Sequence, residues 1–334
     1  MGIFCNLVSP QEHALRQPVP TDTDLIDEAR VRALLAEQFP EWSDLPVRPV
    51  AQPGWDNRSF RVGDELVARL PSAAAYSAQV QREHRWLPYL RPHLPLEVPQ
   101  PVAVGQPGQG FPWSWSIYRW IDGDTAADLS PISPIQFAED LGGFLFALHR
   151  VPALGGPEPG QSNFYRGAPL TIYDRQFRQG IKLLSAQFNQ AGALAVWEAA
   201  LATRWTAAPV WVHGDFALGN LIVRQGRLAA VIDFGQLCVG DPACDVAIAW
   251  TYLRTDARSA FRRSLGLDPG TWQRGRAWAL WKAVIVAAGL TRTNAIEGRW
   301  SQQTILEIMS DAEHTDALVT PTCARPWSST LGEE

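Results

Sequence analysis

The segment from Trp211 to Asp245 limits what this chain can fold into more than any other part of the sequence. It reads WVHGDFALGNLIVRQGRLAAVIDFGQLCVGDPACD, and it places four aspartates, one asparagine and one histidine among apolar runs typical of buried strands. Burying a charged side chain is costly unless the charge is paired or binds an ion. Carboxylates crowded beside an apolar core therefore need a structural or a chemical reason.

The spacing of the polar residues predicts that three of them meet. An apolar run leads into the letters HGD, which end at Asp215, and Asn220 follows five residues later. The runs NLIV and LAAVID flank RQGR and predict a β-hairpin, whose exit carries Asp233 in the letters DFG. Because a hairpin brings the chain back towards its starting point, we expect Asp233 to lie close to Asn220 and Asp215.

These three side chains have the chemistry that phosphoryl transfer requires. One carboxylate and one amide oxygen can share a hard cation such as Mg²⁺, and the second carboxylate can accept a proton or orient a hydroxyl group. A catalytic Asp, an Asn five residues on and a later DFG Asp form the pattern used by phosphoryl-transfer enzymes. A single Asp at a turn is more often a helix cap, but the complete set favours the catalytic interpretation.

The N-terminal part of the chain predicts a small antiparallel sheet with helices beside it. Apolar residues at helical spacing predict a helix over 24–39, capped by Asp24 or Thr23. The runs SFRV and ELVARL, separated by a Gly-Asp turn, predict a hairpin. A second helix is predicted over 77–91, disturbed in its second half by Pro88. Two more strands are expected before the hinge.

The remainder of the chain predicts helices. Ser133 is the expected cap of a helix that has Pro134 at its first position, and the Gly- and Pro-rich stretch 155–170 is expected to be a loop. Further helices are predicted over 171–190, 191–205, 242–266, 270–290 and 298–316. The predicted fold class is α+β with two lobes: a loose leader (1–22), a small antiparallel-sheet N-terminal lobe (23–121) with a hinge near 118–123, and a mainly helical C-terminal lobe (122–334).

At these motifs the sequence resembles the aminoglycoside phosphotransferase family of small-molecule kinases. HGDFALGN, VIDFG and GDPACD all match the family pattern. The likeness extends from about residue 40 to 300, where NRSFRV, LVARLP, REHRWLPYL, VPQPV, PWSWSIYRWIDG, WVHGD and GRAWAL occur in the expected order. The resemblance implies a protein-kinase-like bilobal fold and the transfer of the γ-phosphoryl group of ATP, with Mg²⁺, to a hydroxylated small molecule.

The resemblance also implies a role for each motif residue. Asp215 would be the catalytic base or would orient the acceptor hydroxyl, Asn220 and Asp233 would bind Mg²⁺, and His213 would steady the loop. The helix that follows contains two more aspartates. Asp241 is expected to be its N-cap, and a structural role is also preferred for Asp245, which could brace the catalytic loop.

The nucleotide side departs from the family pattern at one residue. Where the family has a phosphate-binding Lys on a central strand, this sequence has Arg69, and Glu83 is the matching acid on the next helix. An Arg can still contact phosphate oxygens, in two-point geometry, and bridge to the acid. A surface Arg–Glu pair is the alternative.

The sequence predicts the other nucleotide contacts less specifically. Asn57 and Ser59, in QPGWDNRSFRV, could donate hydrogen bonds to phosphate, although the segment could equally be a plain hairpin turn. Backbone groups from Tyr118 to Trp120 are expected to pair with the base at the hinge. Backbone recognition does not separate ATP from GTP.

The acceptor side is expected to carry acids if the acceptor is a polyamine. The candidate acids are Glu307, Asp311, Glu313, Asp316, Asp174, Glu198 and Glu297. A solvated helix face is the competing interpretation for the first four. Aromatic side chains could wall the pocket or pack in the core: Tyr173, Trp250, Trp278 and Trp281.

Composition and charge disfavour some classes of binding partner. The net charge of −5 disfavours nucleic acid, and no apolar run approaches the length of a membrane span. The four cysteines show neither CxxC nor zinc spacing, and the N-terminus lacks the pattern of a secretory signal, so a reduced, cytoplasmic protein is expected. The sequence leaves the oligomeric state undetermined.

The leading functional hypothesis is a small-molecule kinase, with an aminoglycoside antibiotic as acceptor on the strength of the resemblance. A macrolide, another antibiotic or a hydroxylated metabolite stays open as acceptor, because a fold does not fix its substrate. A nucleotide-binding pseudokinase is the alternative from another class, favoured by Arg69 alone. A protein kinase is disfavoured, because no APE-like segment or activation loop follows DFGQLCVGDP.

Overall fold

The computed structural model of the protein describes residues 26–51, 54, 56–128, 133–184, 189–291 and 295–318, with only the backbone at 295–297, 299 and 311–318. The predicted leader over 1–22 lies outside these residues. So do the side chains of four candidate acceptor acids: Glu297, Asp311, Glu313 and Asp316.

The N-terminal half is built on a five-stranded sheet in the order β1-β2-β3-β5-β4, with every neighbouring pair antiparallel. Its strands are β1 (Val47–Pro49), β2 (Asn57–Val62), β3 (Leu66–Pro71), β4 (Pro101–Gly105) and β5 (Trp115–Arg119). Two helices accompany the sheet, α1 (Glu28–Gln38) and α2 (Ser77–Leu90). The hairpin predicted at Gly63 is observed, with that glycine at φ 59°.

Alternation along β3 decides which of its side chains face α1 and which face α2. Leu66, Ala68 and Leu70 are buried in a cluster with Leu34 and Leu35 of α1. Because successive strand residues point to opposite faces, Val67 and Arg69 lie on the other side of the sheet. That face is covered by α2, so the strand itself aims Arg69 at the helix that carries Glu83.

Both N-terminal helices differ in detail from prediction. Helix α1 begins at Glu28, and Asp27 is its cap because the Asp27 carboxylate accepts the backbone N–H of Arg30 at 2.8 Å. Asp24 or Thr23 as the cap was therefore wrong. Helix α2 runs through Pro88 to Leu90 and then tightens into a 3₁₀ turn, so the proline costs one hydrogen bond near the helix end without breaking the helix.

The C-terminal half is mainly helical, as predicted. Its helices are α3 (Pro134–Leu148), α4 (Asp174–Leu183), α5 (Gln190–Leu201), α6 (Ala243–Val246), α7 (Ile248–Thr251), α8 (Thr255–Leu265), α9 (Pro269–Ala287) and α10 (Ala295–Leu318). Short strands carry the motifs: β6 (Asp124–Thr125), β7 (Val210–Val212), β8 (Leu221–Arg224), β9 (Arg227–Val231) and β10 (Cys238–Gly240). Strands β8 and β9 form the predicted hairpin.

The helix predicted over 242–266 is instead three pieces, α6, α7 and α8. No proline or glycine marks the break before α8. Side chains of α8 and its flank satisfy the carbonyls that the break leaves unpaired: Arg254 donates to the Trp250 and Leu253 oxygens, and Arg258 donates to those of Ala249 and Leu253. These local arginine contacts replace the continuation of the helix.

Most of the buried apolar residues of the C-terminal half form one cluster around α3, α9 and the motif strands, which also reaches Leu87 and Tyr118 of the N-terminal half. The sheet ends at Arg119, and β6 already pairs with β8. A lobe boundary between residues 121 and 122 stays our proposal. Among the described residues, no helix has the length and apolar content needed to cross a membrane.

Candidate active site

The loop that carries Asp215 is fixed from below by Asp245. The two carboxylate oxygens of Asp245 accept the backbone N–H groups of His213 and Gly214, at 2.9 and 2.8 Å. Asp245 is fully buried, and burial raises the pKa of its carboxyl to about 7 despite these hydrogen bonds. The side chain predicted to be structural therefore holds the catalytic loop directly.

His213 is buried inside the same loop and its ring nitrogens have fixed roles. A carbonyl can only accept, so Nε2 donates to the Ile232 oxygen at 3.0 Å, and Nδ1 is left to accept the backbone N–H of Asp215 at 3.2 Å. Burial lowers the pKa of His213 to about 4, which keeps the ring neutral. His213 thus joins the Asp215 loop to the strand end that precedes Asp233.

Asp215 and Asn220 are in direct contact, and Asn220 also holds the backbone next to Asp233. The Asn220 side-chain Nδ2 donates to the Asp215 carbonyl at 2.9 Å and lies 3.4 Å from Asp215 Oδ2. The Asn220 carbonyl in turn accepts the N–H of Ile232, at 2.9 Å, one residue before Asp233. Asp233 itself has a left-handed backbone, φ 65°, which is uncommon for a residue other than glycine. These contacts place all three motif residues in one small region.

The donor set suits Mg²⁺ bound together with phosphate. Because Nδ2 of Asn220 is engaged by the Asp215 backbone, Oδ1 is the atom left to bind a cation. Asp233 supplies a carboxylate. Among the described residues, no group of three His, Cys, Asp or Glu side chains could hold a metal alone. Mg²⁺ is commonly held by one or two protein oxygens plus substrate phosphates, so this pair fits the ion.

Arg69 bridges two acids in the cleft. Its Nη1 lies 3.4 Å from Glu83 Oε1 and its Nη2 lies 3.1 Å from Asp233 Oδ1. Glu83 is also held by the hydroxyl of Tyr118 and accepts the Phe234 N–H at 2.9 Å. The guanidinium uses separate nitrogens for the two carboxylates, so the departure from lysine creates a two-point bridge rather than a surface ion pair.

Sequence reasoning missed Arg82, which is nine-tenths buried beside Glu83. Its guanidinium donates to the carbonyl of Gly235 and to Ser162. Helix α2 therefore holds the DFG segment at two consecutive residues, Glu83 on the Phe234 N–H and Arg82 on the next carbonyl. No local pattern announces this contact, because it joins positions 153 residues apart.

Asp56 and Gln79 were also missed. Gln79 Nε2 donates to Asp56 Oδ2 at 2.8 Å, and Gln79 packs so closely on Gly235 that a Cβ there would lie 2.5 Å from its Cδ. Burial, and then the nearby Asp233 carboxylate, raise the pKa of Asp56 to about 7. A larger residue at position 235 would displace the Gln79 side chain, which ties the loop before β2 to the DFG segment.

The other proposed nucleotide contacts lie around this network. Asn57 is buried with its Nδ2 3.4 Å from Gln79 Oε1, and Ser59 is the cross-strand partner of Arg69. The side chain of Tyr118 faces Glu83 rather than the hinge. The N–H of Trp120 donates to the Glu65 carbonyl and its indole donates to Asp122. Base pairing at the hinge stays a prediction for the other backbone groups.

The described candidate acceptor acids are already paired with arginines. Glu307 lies against Arg254 and Arg258, while Asp174 and Glu198 share Arg178. Asp241 as the N-cap of α6 was wrong, because the cap position is held by Pro242. Asp241 lies one residue earlier, where it accepts the Ala243 N–H and pairs with Arg274 at 2.6 Å. In the part of the chain described with side chains, these acids therefore serve structure first.

The four candidate aromatic residues belong to the buried core. Tyr173, Trp250, Trp278 and Trp281 are all at most 5% exposed. The rings of Tyr173 and Trp281 are 4.1 Å apart, and those of Trp278 and Trp281 are 5.2 Å apart. The packing interpretation is thus favoured for all four, although Arg166 lies over two of the indoles.

Comparison with known proteins agrees with this geometry. The model of the phosphotransferase enzyme family matches residues 46–278, which is more than half of the chain. The chain belongs to the phosphotransferase enzyme family. The match spans the sheet and every motif residue of the site, so the predicted family is confirmed.

Individual relatives are more distant. An aminoglycoside 3'-phosphotransferase of Salmonella typhimurium is 29% identical over 149 residues, which are 42% of this chain and 53% of that protein. One from Escherichia coli is 40% identical over 45 residues, 14% of this chain and 17% of that protein. The alignments thus span about half, or less, of these curated relatives.

Solved structures show the fold. The GDP and kanamycin complex of APH(2'')-IIIa matches with a TM-score of 0.61, at 18% identity, over 88% of this chain and 100% of that chain. A macrolide 2'-phosphotransferase type I matches with a TM-score of 0.57, at 22% identity, over 86% and 99% of the two chains. The predicted kinase-like α+β fold is confirmed.

The Arg69 bridge leads to a testable prediction. Arg69→Gln is expected to lower kcat/KM for the nucleotide by about 10²-fold, because a preorganised cation is lost and two carboxylates lose their partner. Arg69→Lys should lose activity too, since one ammonium cannot contact both acids through separate nitrogens. Steady-state kinetics with varied nucleotide would measure this, with Arg48→Gln on the exposed side of β1 as control. Higher turnover in Arg69→Lys would show that the bridge is not what the reaction needs.

Proposed function

We propose that the protein is a Mg²⁺-dependent kinase that transfers the γ-phosphoryl group of ATP, or of GTP, to a hydroxyl group of a small molecule. The observation that carries the proposal is the hydrogen-bonded junction at Asn220, which joins the Asp215 loop to the residue before Asp233. It supports a single reaction centre with one proton acceptor and one cation site.

Asp215 is the group that receives the acceptor. Its carboxylate orients the attacking hydroxyl and takes its proton as the bond to phosphorus forms. The neutral His213 and the buried Asp245 fix the loop backbone, so the carboxylate needs little rearrangement during the reaction. Positioning of this kind accounts for much of the catalysis in phosphoryl transfer.

Asn220, Asp233 and Arg69 form the phosphate side. Asn220 and Asp233 would hold Mg²⁺, which neutralises charge on the β- and γ-phosphate oxygens when bound. Arg69 would contact phosphate oxygens from β3 while it keeps its contact with Glu83. The bridge from Arg69 to Asp233 supports a functional cleft, and it weakens the pseudokinase alternative that Arg69 had favoured.

The acceptor is proposed from relatives rather than from the site. The curated relatives are aminoglycoside 3'-phosphotransferases, so an aminoglycoside leads, and a macrolide is second because a macrolide 2'-phosphotransferase shares the fold. We also propose a cytoplasmic location, where ATP and Mg²⁺ are available; the described cysteines, Cys238 and Cys244, are free and buried.

The proposal is tested by a transfer screen. Purified protein is incubated with Mg²⁺ and γ-labelled ATP or GTP against aminoglycosides, macrolides and hydroxylated metabolites, and labelled product is separated and counted. We expect transfer to members of one acceptor class, and loss of transfer when Mg²⁺ is chelated. Consumption of neither nucleotide with any acceptor would contradict the proposal.

A further inference from the structure

Arg166 belongs to none of the motifs, yet it contacts both the HGD and the DFG segments. Gly214, one residue before Asp215, has φ +90°, and a Cβ there would lie 3.0 Å from Arg166 Cγ. Arg166 Nε donates to Gln236 Oε1 at 2.8 Å, three residues beyond Asp233. Its side chain therefore lies between the HGD and DFG segments, on the side of the C-terminal helices.

The loop that carries Arg166 has a strained backbone and is fixed by hydrogen bonds. Phe164 and Tyr165 have left-handed backbones, φ 53° and 58°, immediately before Arg166. The fully buried Asn163 fixes the loop, because its side chain accepts the Gly160 N–H and donates to the Glu158 carbonyl. Consecutive non-glycine residues in this region persist only where the surroundings impose them, and such outliers cluster at functional sites.

The guanidinium packs against aromatic rings and is attracted by the Asp215 carboxylate. Its Cζ lies 5.3 Å from the Trp278 ring and 5.9 Å from the Trp281 ring, and the Tyr173 side chain is a further close neighbour. Among the described residues, no carboxylate forms an ion pair with it. Burial lowers the pKa of Arg166, but Tyr173 and the Asp215 carboxylate more than offset this, so the group stays charged.

The chemistry of that group restricts what can lie beside it. A guanidinium has five N–H donors and no acceptor, and in Arg166 the Nε donor is used by Gln236. Arg166 is mostly but not fully buried, and its guanidinium is attracted by the Asp215 carboxylate, so a ligand oxygen bound near Asp215 would be a partner for its other donors. An oxygen of the ligand satisfies these donors, whereas an ammonium group is repelled by the same charge.

We propose that Arg166 is the residue that selects the acceptor: it binds an oxygen next to the reacting hydroxyl and excludes an ammonium group from that place. The inference rests on the proposed function and specifies it. The sugar ring presented to Asp215 offers a neighbouring hydroxyl, ether or carbonyl oxygen, even where other rings of the acceptor carry amines.

The test uses acceptor pairs that differ by one oxygen-to-nitrogen exchange. Glucose and glucosamine are one pair, and kanamycin A and kanamycin B are the other. Transfer of the γ-phosphoryl group is measured with the wild-type protein, with Arg166→Gln and with Arg262→Gln. The last is a matched control, because Arg262 lies 5.3 Å over the ring of Trp272, also on α9, and contacts neither motif.

The wild-type protein is expected to prefer the oxygen member of a pair by tenfold or more in kcat/KM, mainly through acceptor KM. Arg166→Gln should reduce that preference at least tenfold, and Arg262→Gln should retain it. A preference for the ammonium member, or an unchanged ratio in Arg166→Gln, would overturn the inference.

If the protein hydrolyses the nucleotide but transfers the phosphoryl group to none of the four compounds, binding of these compounds is measured instead. The four compounds are then compared by calorimetry on the wild-type protein and both variants, and the same criterion applies to the ratio of affinities. Absence of binding by all four would also overturn the inference. A protein that neither hydrolyses nor transfers the γ-phosphoryl group refutes the proposed function itself, which distinguishes the two failures.

Discussion

Asp215→Asn is expected to lower kcat by about 10²–10⁴-fold, because the substitution removes the proton acceptor while it keeps the shape of the side chain. The loop should keep its conformation. Three side chains hold the loop: the Asp245 carboxylate accepts two backbone N–H groups, the His213 ring accepts the Asp215 N–H, and Asn220 donates to the Asp215 carbonyl. All of these hydrogen bonds are made to backbone atoms of the loop and do not need the Asp215 carboxylate. Nucleotide affinity should therefore change little.

Two measurements together identify this role. Turnover with a saturating acceptor gives kcat, and calorimetry gives the affinity for the nucleotide–Mg²⁺ complex. Asp64→Asn, in the exposed turn of the β2–β3 hairpin, is the matched control and should behave as wild type. Equal turnover of Asp215→Asn and wild type would remove Asp215 from the reaction.

Asp233→Asn should have the second large effect, a loss of the Mg²⁺ dependence of nucleotide binding together with a fall in turnover of about 10³-fold. The physical reason is charge: a cation contributes several kcal/mol of stabilisation to the developing phosphate charge, and it loses its only proposed carboxylate ligand. The same substitution also removes the partner of Arg69 Nη2.

Calorimetry with and without Mg²⁺ separates these two consequences. In the wild type, chelation should weaken nucleotide binding by at least tenfold, and in Asp233→Asn it should make little difference. The Arg69→Gln variant provides the comparison, because it breaks the same ion pair but leaves the carboxylate for the cation. If Asp233→Asn still binds nucleotide in a Mg²⁺-dependent way, the cation is bound elsewhere.

The positions of the proposed reacting groups could be predicted because their determinants are local. Asp215, Asn220 and Asp233 fall within 19 residues, and a hairpin between them leaves one way to bring them together. The alternation of β3 likewise fixes the face on which Arg69 lies. Short spacings combined with a known turn geometry therefore carry most of the information about the reacting groups.

The supports of the centre could not be predicted, because they are long-range. Arg82 reaches Gly235 across 153 residues, and Arg166 reaches Gln236 across 70. Buried arginines that bond carbonyls or amides leave no pattern of charge or period in the sequence. The pairing of the candidate acceptor acids with arginines could not be predicted for the same reason, since Glu307 and Arg258 are 49 residues apart.

The central claim is that Asn220 and Asp233 hold Mg²⁺ while Asp215 faces the acceptor. A crystal structure of the protein with Mg²⁺ and a non-hydrolysable ATP analogue tests it most directly. We expect the ion within about 2.0–2.1 Å of Asn220 Oδ1 and an Asp233 carboxylate oxygen, with the Asp215 carboxylate open towards the γ-phosphate. An ion bound only by phosphate and water, with these side chains turned away, would contradict the account.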